Sequence, residues 1–133
     1  MAGRRRIPVD EGRSALHAWA TSEDRGAVDR KTLATAVRHT VEELGERAPG
    51  RSVEVRVPPF AAVQCVEGPV HTRGTPPAVV ETDPQTWLRV ATGESPWAEE
   101  VAAGAIRVSG QRTDLSAYLP LSEGSAAASP SPR

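Results

Sequence analysis

Two cap-and-proline steps, Asp83-Pro84 and Ser95-Pro96, constrain this chain more than any other feature, because each predicts the start of a helix. A side-chain oxygen at the cap accepts from an orphan amide of the first turn, and proline just inside gives up an N–H that had no partner anyway. Behind the first step Trp87, Leu88 and Ala91 form one apolar stripe, and Gly93 supplies the left-handed residue that ends a helix. The second step predicts a shorter helix from Pro96 to about Ala103, with Trp97 and Val101 inward and Gly104 closing it. Val79 and Val80 end a β-favouring run before the first helix. Ile106 and Val108 alternate with Arg107 and Ser109 after the second, up to Gly110. Residues 79–110 therefore read as strand, helix, helix, strand.

The remaining elements fall around that stretch. Asp10 caps a short helix in which Ala15, Leu16 and Trp19 share a face, followed by the polar run Thr21 to Gly26. Asp29 caps the longest helix, where Leu33, Val37, Val41 and Leu44 recur at helical spacing, Ala36 and Thr40 widen the stripe, and Pro49-Gly50 stops it. From Ser52 to Val57 the period changes to two, with three valines on one side and Glu54 and Arg56 on the other. Pro58-Pro59 interrupts, and Phe60 to Val66 reads as a second strand, more uniformly apolar and so expected nearer the centre of a sheet. The segment Pro69 to Pro77 has the chemistry of a loop, most simply joining two antiparallel strands. Thr113 or Asp114 is expected to cap a last short helix with Leu115, Tyr118 and Leu119 inward, before Pro120. The expected organisation is an N-terminal segment with a short helix over 1–27, one α+β domain over 28–121, and a disordered tail over 122–133 that lacks apolar residues to offset the cost of ordering.

Several functional classes are disfavoured. Sixteen basic against seventeen acidic residues give a net charge of −1, so no nucleic-acid footprint spans the domain, and Arg4, Arg5 and Arg6 read as a solubilising terminus. No apolar run approaches the ~20 residues of a membrane span, and no apolar segment follows the charged N-terminus, so a cytoplasmic protein without stable membrane insertion is expected. The single cysteine, Cys65, sits mid-strand among Ala62, Val63 and Val66, as an inert buried thiol would. His17, His39 and His71 offer no pair at metal-ligand spacing, and Glu42 with Glu43, Glu81 with Asp83, and Glu99 with Glu100 read as solvated faces and caps. No phosphate cradle or hydrolase elbow is present, so the expectation is no catalytic residue, no metal and no cofactor.

Trp19, Trp87 and Trp97 are core residues on the simplest reading. Because the sheet offers mainly valine and alanine, Trp87, Leu88 and Trp97 could also line a space for an apolar ligand between sheet and helices. In the loop 69–77, His71, Thr72 and Arg73 sit together. Arg73 is the residue expected to meet an acidic head group, with an apolar tail running inward past Phe60.

The order of these elements, with Asp83, Leu88, Gly93, Trp97, Gly104, Ile106, Val108 and Gly110 at their spacings, resembles the sterol carrier protein family in its small bacterial branch, over roughly Asp29 to Leu121. The resemblance implies a five-stranded antiparallel or mixed sheet covered by helices, with a lipid-sized apolar tunnel between them. Four strands are visible directly, and either a fifth lies in Pro69 to Arg73 or the sheet is reduced, so the expected α+β fold has four to five mostly antiparallel strands covered on one face by helices. The resemblance also implies a non-catalytic carrier whose partner is an apolar small molecule or fatty acyl chain. The same fold resembles the accessory domain of mycothiol-dependent isomerases, but their metal-binding helical bundle is missing here, so no catalysis is implied. The alternative is an interaction domain without a ligand cavity, forming a homodimer or docking a protein partner through the strand Ser52 to Val57.

Overall fold

The computed structural model describes residues 6–68, 78–111 and 113–121. Their order is α1 (Val9–Thr21), a 3-10 turn (Arg25–Ala27), α2 (Arg30–Arg47), β1 (Val53–Val57), β2 (Ala61–Cys65), β3 (Ala78–Thr82), α3 (Pro84–Ala91), α4 (Trp97–Ala102), β4 (Ile106–Ser109) and a second 3-10 turn (Ser116–Tyr118). Two caps behave as the sequence predicts. The Asp29 carboxylate accepts the Thr32 amide at 2.9 Å, and Asp83 accepts the amide and hydroxyl of Thr86 at 3.0 and 2.7 Å. Burial alone would raise the Asp83 carboxyl, but the bonds from Thr86 outweigh it and hold its pKa below the ordinary value. The contribution of that cap is thus present above the unfolded carboxyl range and fades as pH falls.

Two other caps differ from expectation. Pro8 precedes α1 and Pro96 precedes α4, both in extended conformation and neither with a side-chain cap, so Ser95 does not start α4 and Asp10 bonds instead to the Glu11 amide. The expected last helix is a single 3-10 turn, with Asp114 accepting the Ser116 amide at 2.9 Å. Pro120 follows too soon for a longer helix, and Leu115 and Leu121 anchor the segment in the core.

The four strands are ordered β2-β1-β3-β4 in one mixed open sheet, antiparallel at both ends and parallel between β1 and β3. The inward Val53, Val55 and Val57 of β1 are all buried, and Cys65 and Ala78 flank Val53 from opposite sides. Three sequence expectations are corrected by this order. Among the described residues β2 is an edge strand, and its apolar look comes from alanines that tolerate exposure: Ala62 and Gln64 face solvent, and Ala61 and Val63 are only half-buried. β2 and β3 are not neighbours, since β3 pairs with the far side of β1. The strand Ser52 to Val57, expected to offer an edge, has neighbours on both sides. Residues 69–77, where a fifth strand and the head-group loop were expected, lie outside the described residues, as does the tail 122–133.

α2 lies over β2, α3 packs beside α2, and α4 rests on β4. The helices thus cover the face that carries the valines, while Glu54, Arg56, Glu81 and Arg107 occupy the other, in ion pairs of 3.0 Å (Glu54–Arg56) and 3.1 Å (Glu81–Arg107). α1 packs on the outside of α2, where Gly12 is obligatory in size: a β-carbon there would overlap the His39 ring. At the other end of α1, the Trp19 indole N–H donates to Gln85 Oε1 at 2.8 Å. Arg25 stacks 3.9 Å from the Trp19 ring and pairs with Glu94. The N-terminal helix is therefore tied to both α2 and α3. No helix among the described residues is long and apolar enough to cross a membrane.

Candidate functional site

Trp87 and Leu88 are fully buried, and Trp87 donates its indole N–H to Thr40 Oγ1 at 2.8 Å. That hydroxyl in turn bonds back to the Ala36 and Val37 carbonyls of α2, so the indole is locked onto the long helix. Trp97 is buried on α4 within the same core cluster. Phe60 is the sequence-selected residue that meets a cleft, and Arg73 lies outside the described residues. The structure therefore groups Trp87, Leu88 and Trp97 in the core, with Phe60 half-buried against that core and lining the cleft.

That cleft, of about 760 Å³, opens between α2 and the edge strand β2. Three local features build it. The first is the close seat of the helix: Gly45 passes Val63 so tightly that a β-carbon would lie 2.9 Å from the valine methyl. A second is the turn after α2, where the Val66 N–H donates to the Ala48 carbonyl at 2.6 Å and the Val66 carbonyl accepts from the Ser52 amide and hydroxyl at 3.1 and 2.6 Å. These bonds hold Val66 at φ 69°, a region a β-branched residue seldom enters, and they fix Pro49, Gly50 and Arg51 at one end of the cleft. The third is Phe60, whose ring lies 5.1 and 5.9 Å from the guanidinium carbons of Arg30 and Arg38, while Arg38 Nε donates to its carbonyl at 3.2 Å. Val41, Phe60, Ala61 and Val63 give an apolar floor. Arg6, Arg38, Glu42, Glu46 and Arg51 give a charged rim.

Sequence reasoning missed this place because its lining comes from residues that look unremarkable alone: the solvated stripe Arg38, Glu42, Glu46 and an alanine-rich strand. The available signal was Gly45 inside the longest helix, a position where glycine costs roughly 1 kcal/mol unless something must approach closely.

A volume of this size, part apolar and rimmed by a few charges, suits a small amphipathic molecule. Cys65 is fully buried and desolvation raises its thiol pKa to about 11, so it is not a ready nucleophile. In native protein at pH 8 its reaction with a disulfide reagent such as Ellman's is expected to be slower than in denatured protein by at least about 100-fold, from burial and the small thiolate fraction together. Equal rates would mean that the strand end opens readily. The carboxylates Glu81, Glu94 and Glu100 are held in ion pairs with Arg107, Arg25 and Arg89, and among the described residues no group of three or more His, Cys, Asp or Glu could hold a metal ion.

A family model described as bacterial SCP ortholog matches residues 29–121. The match begins at Asp29, the cap of α2, and ends at Leu121, so it takes in the whole sheet and the helices upon it but neither α1 nor the residues before it. No curated protein matches the chain.

Proposed function

The chain belongs to the bacterial branch of the sterol carrier protein family, and from that premise we propose that it is a non-catalytic cytoplasmic binding protein for an apolar or amphipathic small molecule, held in the cleft between α2 and β2. The observation that carries this reading is the cleft itself: about 760 Å³ with Phe60 and Val63 on its floor, beside an interior in which Trp87 and Leu88 are fully buried. A fatty acyl chain laid along Val41, Phe60 and Val63 would remove apolar surface from water on both partners, at roughly 25 cal/mol per Å². Trp87, Leu88 and Trp97 would then act as the rigid wall behind the site rather than as its lining.

Displacement of a fluorescent fatty acid, and native mass spectrometry of the purified protein, test the reading. Wild type is expected to bind at micromolar concentration, and Phe60→Ala to bind about 10-fold more weakly, with only a small stability change because the ring is half-buried. A protein that carries no lipid and displaces no probe would end the proposal. Undiminished binding by Phe60→Ala would move the ligand to another site.

A further inference from the structure

Arg6 lies before α1 and outside the matched family segment, yet it reaches the cleft. Glu42 Oε1 accepts the backbone amides of both Arg6 and Ile7, at 3.0 and 3.2 Å. Two amides on one carboxylate are charge-assisted bonds, which fix the path of the chain as well as its end point. The Arg6 side chain thereby joins Arg38 and Arg51 on the rim.

The pairing of the arginines is uneven across the surface. Arg25, Arg47, Arg56, Arg89 and Arg107 each have a carboxylate partner within 4.0 Å. Among the described residues, Arg6, Arg38 and Arg51 have none. Glu42, the carboxylate closest in role, is engaged by the arm's amides, and Arg38 spends Nε on the Phe60 carbonyl, which leaves its terminal NH2 groups for another acceptor. Three guanidinium groups stand around one apolar floor against two carboxylates, Glu42, which the arm's amides engage, and Glu46, so the rim keeps a net positive charge and makes a place for an anion attached to an apolar chain.

We propose that the N-terminal arm completes the cleft: Glu42 pins the Arg6–Ile7 backbone, Arg6 is carried to the rim beside Arg38 and Arg51, and the cleft so formed selects an amphiphile with an anionic head group. The proposal rests on the cleft being the ligand site. Carboxylate and phosphate share the chemistry that a guanidinium reads, so both are to be tried as head groups.

The test measures binding of dodecanoate, dodecyl phosphate and neutral dodecanol to the full chain at low ionic strength, below the critical micelle concentrations of the two anions and the solubility limit of the alcohol. The two anions are expected to bind about 10-fold more tightly than the alcohol, the tighter of them naming the head group. Arg6→Ala is expected to lose most of that preference while leaving dodecanol unchanged. Glu42→Ala, which releases the arm, should lose it too, although it also removes a negative charge. Glu42→Gln keeps an acceptor for the two amides and removes the charge, so it should keep the preference or increase it, a pattern that general loss of fold does not give. Equal affinity for anions and alcohol would overturn the head-group assignment while leaving the apolar cleft in place. A preference that survives both Arg6→Ala and Glu42→Ala would show that the arm takes no part. No binding of any of the three to wild type would sink the cleft reading, and this proposal with it.

Discussion

Trp87→Ala is expected to lower the unfolding free energy by roughly 3–5 kcal/mol, a large part of the ~5–15 kcal/mol that holds a domain of this size together. The side chain is fully buried, and its removal opens a void among α3, α2 and the sheet that neighbouring groups can only partly close. The loss has a polar part as well. The indole N–H donates to Thr40 Oγ1, whose own proton is committed to α2 carbonyls, so the contact fixes α3 on α2 in one position. Trp87→Phe keeps much of the volume and gives up only the hydrogen bond, and should cost less than half as much. Urea denaturation followed by far-ultraviolet circular dichroism measures both, without relying on the fluorescence being altered. A loss below about 1 kcal/mol for the alanine variant would contradict the claim that this tryptophan belongs to the core.

The second large effect is expected at Gly50. Its φ of 149° lies where side chains are rarely tolerated, and a β-carbon would overlap the carbonyl of Val66 and the amide of Glu67. That strand end cannot simply retreat, because Val66 is bonded to Ala48 on one side and to Ser52 on the other. Strain and overlap together make Gly50→Ala worth roughly 2–5 kcal/mol. Gly104→Ala is the control: φ there is 82°, but nothing lies within 4 Å of the added carbon, so only the backbone penalty of about 1 kcal/mol should appear. Equal losses at the two positions would mean that the close approach of the turn to Val66 is unimportant. Because Gly50 also ends the cleft, a folded Gly50→Ala protein should bind an acyl chain more weakly.

The sequence by itself determined the elements whose signals are local. Asp29 and Asp83 cap because a carboxylate three residues before an amide meets it whatever the rest of the chain does. Val53, Val55 and Val57 alternate because side chains of a strand point to opposite faces, and Leu16 and Trp19 are buried because they share a helical stripe. Cys65 is buried for the same kind of reason, and burial pushes its thiol pKa up. The spacing around Pro84 and Gly104 was enough to point to the family, whose matched segment covers residues 29–121.

Only the tertiary structure decided how those pieces lie against one another. An apolar run such as Ala61 to Cys65 does not say which strand it flanks, and pairing with one side of β1 left β2 at the edge while β3 took the other side. The cleft follows from that choice. Gly45 lets α2 descend onto β2, Glu42 reaches an arm some 35 residues away in sequence, and Phe60 meets Arg38. Each of those contacts is between segments distant in the chain, whose meeting depends on the net balance of all the packing at once; no local spacing encodes it.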